Sequence, residues 1–202
     1  THDLLPDDLK VWQRVESKIH QIMQQYGYGE IRTPAFENTE LFIQGIGTDT
    51  DIVNKEMFSW VDQGGNALTL KPELTAPVVR AYLQHQLGNQ NPIHRLYYID
   101  TLFRRERPQK GRQRQFYQFG AEAIGSPNPE QDAEIISIAY HIYQDLGIKE
   151  MEIRINSIGS ADIRPTYLEL LRNTLDKYRG EFCKTCRTRL EKNALRIFDC
   201  KN

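Results

Sequence analysis

The chain has 202 residues, of which 39% are hydrophobic, 10% aromatic and 26% charged, and its formal net charge is −1. This is the composition of a globular protein with a substantial core, and it excludes a disordered or collagen-like chain. No apolar run approaches the length of a membrane span and no signal peptide opens the chain, so we expect a cytoplasmic protein without a membrane partner.

A helix is predicted near the start of the chain. Pro6 suits a first helical turn, and Asp7 and Asp8 there face the positive end of the helix dipole. Gly27 suits the left-handed residue that follows a helix end. Apolar residues recur between these points at helical spacing: Trp12, Val15, Ile19, Ile22, Met23 and Tyr26. We interpret this stripe as core or as a subunit contact.

Several short elements are predicted next. In chain order they are a strand over 28–33 stopped by Pro34, a helix over 38–44, and two strands over 56–61 and 67–71. Glycines between the last two strands are typical of a hairpin turn. Thr75 is in place to cap a helix that ends near Gly88.

Two longer strands are predicted over 95–106 and 112–124, and the polar loop between them contains Pro and Gly. We interpret the pair as a long antiparallel hairpin. The remaining predicted elements are a helix from Pro129 to Gly147, an alternating strand over 151–156 and a helix over 164–178. This order favours an α+β fold, with an antiparallel sheet flanked by helices, over a doubly wound parallel sheet.

The segment 104–114, RRERPQKGRQR, concentrates positive charge. It holds six basic residues and one acid, so its net charge is +5 and the rest of the chain carries −6. Arginine presents a planar fork of donors that matches phosphate oxygens and does not lose its charge. The alternative interpretation of this segment is a hairpin whose charged side chains are exposed to solvent and form salt bridges, without a ligand. Because few acids lie nearby, we favour binding of nucleotide or nucleic-acid phosphate.

Acidic and amide side chains accompany this basic segment. Glu73 lies at a strand end just before a helix, and Gln118 and Glu122, four residues apart, project from one face of the returning strand. Taken singly, each carboxylate is a solvated charge or a partner for an arginine. Together, carboxylates that can hold an ammonium group beside arginines that can hold phosphate indicate an amino acid next to a nucleotide.

Three cysteines, Cys183, Cys186 and Cys200, lie near the C-terminus. An odd number is a poor disulfide framework and favours a reducing compartment. Cys183 and Cys186 have the spacing of half a zinc knuckle, but a structural zinc site normally needs four ligands. We therefore favour ordinary thiols and no metal site, with zinc as the alternative.

Two stretches carry a resemblance to a known family: 68–76, LTLKPELTA, and 103–122, FRRERPQKGRQRQFYQFGAE. A Phe-Arg-x-Glu sequence, a loop and a returning arginine strand resemble motif 2 of class II aminoacyl-tRNA synthetases, here at about 95–125. The run RPQKGRQRQFYQ is similar to the histidyl-tRNA synthetases in particular. The similarity covers nearly the whole chain and includes a motif 1 region at about 6–45.

The resemblance implies a class II catalytic core, a homodimer and a reaction. Histidine and ATP, with Mg²⁺, would give histidyl-adenylate and pyrophosphate, and histidine would then pass to the acceptor end of tRNA(His). By motif, the catalytic residue Arg104 would hold the α-phosphate and the histidine carboxylate. The other implied ATP contacts are Glu106 near the adenine, Arg112 and Arg114 on the outer phosphates, and Phe116 stacked on the adenine.

The resemblance also implies contacts to histidine and to tRNA. Glu73, Thr75 and Gln118 would bind the backbone groups of histidine, and Glu122 would meet its imidazole. Arg107 and Gln109, at the loop tip, would face the tRNA acceptor end.

The sequence departs from the family pattern at three positions. Leu74 stands where many relatives have Gly and is expected to crowd the amino-acid pocket, Tyr117 replaces a common His, and Lys71 replaces Arg. The family chain continues for as long again. We therefore expect residues 1–202 to be a partial catalytic domain without motif 3 or the anticodon-binding domain, and to be almost inactive alone.

Three other interpretations stay open. The first is the non-catalytic regulatory subunit of ATP phosphoribosyltransferase, which shares the fold, although the intact set of motif residues argues against it. The second is another class II enzyme, such as a prolyl or threonyl synthetase. The third is a nucleic-acid or zinc-binding module built on the basic hairpin and the cysteines.

Overall fold

The computed structural model describes residues 1–47, 50, 52–107, 109–157 and 159–200. The α-helices of these ranges are α1 Pro6–Gln25, α2 Thr39–Ile46, α3 Thr75–Gln84, α4 Pro129–Asp145, α5 Arg164–Asp176 and α6 Lys184–Lys192. The strands are β1 Gly29–Glu30, β2 Phe36–Asn38, β3 Ser59–Val61, β4 Ala67–Leu70, β5 His94–Phe103 and β6 Gln115–Ile124. Across the described ranges, every helix is too short or too polar to cross a membrane.

The chain divides into two compact units, Thr1–Glu150 and Met151–Asn202. The first unit contains both sheets, and the second is helical. The predicted α+β class is confirmed, because helices accompany two sheets whose strands pair mostly antiparallel.

The predicted long hairpin is the centre of the first unit. Strands β5 and β6 pair antiparallel over their full length, with Tyr98 opposite Gly120 and Asp100 opposite Gln118. The short strand β1 pairs with β5 in parallel, so this three-stranded sheet is mixed rather than purely antiparallel. The parallel pairing is possible because a long stretch of chain separates β1 from β5, as a parallel crossover requires.

The two faces of the β5–β6 hairpin carry different packing. On one face, Tyr97 packs in a cluster with side chains of α1 and α4: Ile19, Ile22, Met23, Ile138 and Ile142. On the opposite face, Tyr98 and Leu102 pack against Leu74 and Val78 at the start of α3. The stripe predicted on α1 is therefore core, and alternation along the strands separates this core from the face that bears Glu122.

A second sheet, in the order β2–β4–β3, is antiparallel and includes the predicted hairpin. Lys71 joins it to the main sheet. Its backbone N–H donates to the Ala35 carbonyl at 3.0 Å, and its carbonyl accepts from the Phe103 N–H at 3.0 Å. The Lys71 side chain is 2% exposed and donates to the Asp100 carboxylate and to the Thr33 carbonyl. This buried lysine holds the end of β4 against β5.

Two helix predictions need correction. Thr75 does not cap α3. The Glu73 carboxylate accepts from the backbone N–H groups of Thr75 at 2.7 Å and Ala76 at 3.0 Å, and thereby satisfies donors at the helix start. The same helix ends at Gln84 rather than near Gly88, because the backbone becomes left-handed at Gln86, with φ of 49°.

The predicted strand over 151–156 is wrong. The segment is irregular, and its apolar residues Ile153 and Ile155 are 50% and 77% exposed. A strand is stabilised by backbone hydrogen bonds to a neighbour, and the described part of Met151–Asn202 contains no other strand to supply them. Alternation of apolar residues was therefore not sufficient to form the element.

Candidate active site

Three of the residues predicted to bind an amino acid, Glu73, Thr75 and Glu122, lie together. The Thr75 hydroxyl, at the start of α3, donates to Glu122 Oε1 on β6 at 2.9 Å. The Tyr98 hydroxyl, on β5, donates to the same oxygen at 3.2 Å. Burial, and then the Glu122 charge, raise the pKa of Tyr98, so its hydroxyl stays protonated and remains a donor. The second carboxylate oxygen of Glu122 is left to accept from a ligand.

Glu73 is the second carboxylate of this cluster. Its two oxygens accept the backbone N–H groups of Thr75 and Ala76, which fixes the side chain at the N-terminus of α3. Burial raises the pKa of Glu73, the backbone hydrogen bonds oppose that rise, and the nearby charge of Glu122 adds to it. Two carboxylates at close range create a negative potential that suits an ammonium group.

Gln118 lies on the same face of β6 as Glu122, opposite Asp100 of β5. Its side chain is exposed, as a ligand-binding amide on an open face must be. Glu73 and Thr75 also line a cavity of about 610 Å³ between α2 and α3. The predicted histidine-binding residues thus come from two elements, the start of α3 and two positions on β6.

Arg104 is held where the hairpin leaves the sheet. Its Nε donates to the Pro72 carbonyl at 2.8 Å, and its backbone N–H donates to the Arg114 carbonyl at 2.9 Å. The guanidinium carbon lies 5.2 Å from the centre of the Phe116 ring, a cation–π distance. Pro72 precedes Glu73, so Arg104 connects the basic hairpin to the carboxylate cluster.

Four of the five residues predicted to bind ATP line one cavity of about 530 Å³: Arg104, Glu106, Arg112 and Phe116. Glu106 Oε2 pairs with Arg112 Nη1 at 3.3 Å. The fifth residue, Arg114, lies outside this cavity and lines another, together with Trp60 and Arg105. The Arg114 Nε donates to the Glu106 carbonyl at 3.5 Å, a long bond that leaves the guanidinium exposed.

The loop tip carries the two residues predicted to face tRNA. Arg107 and Gln109 are both exposed. The backbone of Gln109 exchanges hydrogen bonds with Arg112, which closes a tight turn, and Gly111 supplies the left-handed residue, with φ of 80°. Both side chains are therefore open to solvent at this end of the hairpin.

Sequence reasoning missed three contributors to the site. Tyr98 lies within the strand predicted over 95–106, but the sequence did not indicate that its hydroxyl anchors Glu122. The Pro72 carbonyl orients Arg104. Gly120 makes room for Tyr98, because a Cβ at that position would lie less than 3.0 Å from atoms of the tyrosine ring. The only available signal was the register of β5 against β6, which places Tyr98 opposite Gly120.

The two departures from the family pattern near the site have structural explanations. Leu74 is 2% exposed and packs with Val78 and Leu102, so its side chain fills the core rather than the amino-acid pocket. Tyr117 packs against Trp12 of α1, with ring centres 4.7 Å apart and ring planes tilted by 55°. Neither side chain obstructs the Glu122 carboxylate.

Positively and negatively charged side chains lie in adjoining parts of the site. Guanidinium groups of Arg104 and Arg112 line one cavity, where they can bind phosphate or carboxylate oxygens in a bidentate manner. Carboxylates of Glu73 and Glu122 lie on the Pro72 side of Arg104. The carboxylate within the basic cavity, Glu106, is already paired with Arg112, so the chain's own residues suit phosphate oxygens better than a bare metal cation.

Comparisons with known proteins agree with these features. The family model described as Histidyl-tRNA synthetase matches residues 1–176. A histidine–tRNA ligase of Geobacillus thermodenitrificans is 53% identical over 202 residues, which are 100% of this chain and 47% of that protein. A histidine–tRNA ligase of Solibacter usitatus is 50% identical over 201 residues, 100% of this chain and 49% of that protein. The chain spans about half the length of the curated relatives it matches.

Solved structures show the same relationship. The crystal structure of apo S. aureus histidyl-tRNA synthetase superimposes with a TM-score of 0.77 and 40% identity, covering 98% of this chain and 46% of that chain. A Bacillus halodurans protein, titled an ATP phosphoribosyltransferase regulatory subunit/histidyl-tRNA synthetase, matches with a TM-score of 0.69. That alignment covers 94% of this chain and 52% of that one at 23% identity, which shows the fold alone. The chain belongs to the histidyl-tRNA synthetase family.

Proposed function

We propose that residues 1–202 form the N-terminal part of the catalytic domain of a histidine–tRNA ligase, with motif 1 at about 6–45 and motif 2 at about 95–125. The family match and relatives named as histidine–tRNA ligases support this proposal. The observation that carries it is the Glu122 carboxylate, which Thr75 and Tyr98 hold on the same side of the sheet as Arg104.

At the histidine end, Glu122 selects the substrate. One of its oxygens accepts from Thr75 and Tyr98, and the other accepts an imidazole N–H. A site that depends on a hydrogen bond from the substrate discriminates strongly against side chains without a donor, because the carboxylate is then left unpaired. Glu73, with Thr75 and Gln118, binds the backbone ammonium and carboxylate groups of histidine.

At the ATP end, arginine side chains and the aromatic ring of Phe116 bind the nucleotide. Arg112 and Arg114 bind the outer phosphates, Phe116 stacks on the adenine and Glu106 lies near the adenine. Mg²⁺ bound through the phosphate oxygens of ATP supplies further charge neutralisation during the reaction. Arg104 bridges the two substrates, because its guanidinium lies between Phe116 and the Pro72–Glu73 backbone.

The first step is then attack of the histidine carboxylate on the α-phosphorus of ATP, with pyrophosphate as the leaving group. Arg104 contributes by fixing both reacting groups and by stabilising the charge that gathers on the α-phosphoryl oxygens. In the second step, the terminal adenosine hydroxyl of tRNA(His) takes the histidyl group and AMP leaves. Arg107 and Gln109, exposed at the loop tip, contact the acceptor end of the tRNA.

We also propose that these 202 residues alone show little or no aminoacylation and that the full-length protein is a cytoplasmic homodimer. The chain covers only 47% and 49% of the first relatives, so a large part of the family's length lies outside it. A histidine-dependent pyrophosphate exchange rate comparable to that of a complete relative would contradict the proposed inactivity.

Calorimetry of the 202-residue chain with histidine, proline, threonine and ATP tests the proposed site. We expect histidine to bind more tightly than proline or threonine, and ATP to bind at a separate position. Glu122→Gln should weaken histidine binding by roughly 10-fold or more, since hydrogen bonds to charged groups contribute about 1.5–3 kcal/mol. Glu130→Gln, which changes an exposed carboxylate on α4, is the matched control. Equal affinity for the three amino acids, or no effect of Glu122→Gln, would contradict the proposal.

A further inference from the structure

The three cysteines, which the sequence assigned to ordinary thiols, converge in the second unit. The sulfurs of Cys183, Cys186 and Cys200 all lie within 4.8 Å of one another, and Cys183 and Cys200 are 3.9 Å apart. All three are free thiols. A disulfide would use two of them, whereas the mutual approach of three sulfurs is the arrangement of a metal-binding group.

The local fold holds these sulfurs in place. Cys183 is the residue before α6, and Cys186 lies in the first turn of that helix. The backbone N–H of Arg187 donates to the Cys183 carbonyl at 3.1 Å, which fixes Cys183 at the start of the helix. Cys186 is 2% exposed, and Leu190 and Ala194 of the same unit are buried as well.

Cys200 comes from a separate segment that is tied to the same helix. It follows the helical turn Ala194–Asp199. The Arg189 guanidinium on α6 donates to the Arg196 carbonyl in that turn at 2.9 Å. On the other side, Arg187 donates to the carbonyls of Phe182 at 2.9 Å and Gly180 at 3.2 Å, which fixes the approach to Cys183. These hydrogen bonds from arginine side chains to backbone carbonyls therefore hold Cys183 and Cys186 close to Cys200.

The distance between the Cys183 and Cys200 sulfurs fits tetrahedral coordination. With zinc–sulfur bonds of about 2.3 Å, two ligand sulfurs of a tetrahedral site lie about 3.8 Å apart. The observed 3.9 Å between Cys183 and Cys200 matches this edge length. Thiolate ligands in tetrahedral geometry select zinc over hard cations such as Mg²⁺. Within the described residues, the group that could hold an ion comprises these three cysteines, and a water molecule can complete the tetrahedron.

We propose that Cys183, Cys186 and Cys200 bind one Zn²⁺ ion, whose fourth ligand is water. The ion ties the start of α6 to the turn after it and cross-links a unit of Met151–Asn202 whose own buried core is small. Units of this size gain much of their stability from such cross-links. The site is separate from the Glu122 cluster and its existence does not depend on the proposed ligase activity.

Cobalt(II) titration of the reduced, metal-free 202-residue chain tests the site directly. We expect saturation at one cobalt per chain, with the thiolate-to-cobalt charge-transfer absorption and the intense visible bands of a tetrahedral complex. Addition of one equivalent of zinc should remove these bands. The same zinc should protect all three thiols from a thiol-modifying reagent. Weak bands of octahedral cobalt, or protection of fewer than three thiols, would overturn the proposal.

Single variants identify the ligands. We expect cobalt affinity to fall by roughly 100-fold or more in each of the variants Cys183→Ser, Cys186→Ser and Cys200→Ser. Even substitution of a residue that only contacts a metal ligand lowers metal affinity by about 10–100-fold. Thr188→Ala, on an exposed position of α6, keeps the three thiols and should bind cobalt as the unaltered chain does. Unchanged affinity in any of the serine variants would overturn the assignment of that ligand set. The spectrum of the unaltered chain stays decisive if a variant fails to fold.

Discussion

The Thr75 hydroxyl donates a hydrogen bond of 2.9 Å to the Glu122 carboxylate, although 47 residues separate them in the chain. This bond joins the start of α3 to the C-terminal end of β6, and Tyr98 donates to the same oxygen from β5. Glu122 is therefore oriented from two elements before a ligand arrives. Preorganisation of this kind lowers the cost of ordering a side chain on binding.

Removal of the Thr75 hydroxyl provides a direct test of this orientation. Thr75→Val keeps the side-chain shape but leaves Glu122 with one donor fewer, so we expect histidine affinity to fall by roughly 10-fold, or about 1.4 kcal/mol. Thr75→Ser restores a hydroxyl and should restore most of the affinity. Calorimetry with histidine measures both. Equal affinities for the valine and serine variants would show that the hydrogen bond does not position Glu122.

The Tyr98 ring occupies the space above Gly120, and this makes the glycine sensitive to substitution. A Cβ on Gly120 would lie 2.6 and 2.7 Å from two ring carbons of Tyr98, which is 5% exposed and has little freedom to move. We expect Gly120→Ala to destabilise the first unit by about 1–3 kcal/mol and to weaken histidine binding, because the displaced ring carries the hydroxyl away from Glu122.

Gly29→Ala is the matched control, since a Cβ there meets only the Arg95 carbonyl at 3.9 Å. Urea unfolding followed by tryptophan fluorescence measures the first unit, because Trp12 and Trp60, the two tryptophans of the chain, both belong to it. If Gly120→Ala lowers the free energy of unfolding no more than Gly29→Ala does, the close approach of Tyr98 is not a constraint.

Elements defined by local patterns were predicted well from the sequence. The α1 helix begins at Pro6, and the β5–β6 hairpin occupies nearly the predicted strands, because proline, glycine and apolar periodicity act within a few residues. Features that depend on distant partners were not predictable. The cap on α3 comes from Glu73 rather than Thr75, and Tyr98 contributes through its hydroxyl.

The same distinction explains the other differences. Ile153 and Ile155 alternate as in a strand, but a strand also needs a neighbouring backbone, which periodicity does not report. Similarly, the spacing of Cys183 and Cys186 matches half a zinc knuckle but was interpreted as ordinary thiols, whereas the position of Cys200 beside them depends on how the turn after α6 folds back. Sequence patterns identified these residues as candidates, but the contacts that each one forms depend on residues distant from it in the chain.

The buried Lys71 and Asp100 side chains form an ion pair that connects the two sheets. Lys71 is 2% exposed, and the Asp100 side chain is 24% exposed. Lys71→Met removes the cation and leaves the carboxylate partly buried without its partner, which should cost about 2–4 kcal/mol of unfolding free energy. Adding Asp100→Asn should recover part of this loss, because the neutral amide carries no charge yet still accepts from the Thr101 N–H. A double variant as unstable as, or less stable than, Lys71→Met would contradict this account of the pair.

Glu134 on α4 is the centre of a polar network at the other side of the sheet. Its Oε1 accepts from Tyr28 at 2.9 Å, Gln131 at 2.6 Å and Arg95 at 3.0 Å. Burial opposes ionisation of Glu134, but the hydrogen bonds from Arg95, Gln131 and Tyr28 outweigh it and lower the pKa of the carboxyl below 4.5. The phenol of Tyr28 has its pKa raised to about 12, by burial and then by its bond to Glu134. Tyr28 therefore remains protonated, and a donor, well into the alkaline range.

The lowered pKa of Glu134 predicts an acid-dependent loss of stability. Because the unfolded chain takes up a proton near pH 4.5 while the folded carboxylate resists it, the stabilisation is complete above that pH and is lost as the pH falls towards the folded pKa. Glu134→Gln should therefore cost about 1–2 kcal/mol at pH 7, and this difference from the unaltered chain should shrink as the pH falls below 4.5. Urea unfolding at a series of pH values, followed by tryptophan fluorescence, measures it. A difference that stays constant from pH 7 into acid would show that ionised Glu134 is not what Tyr28, Gln131 and Arg95 stabilise.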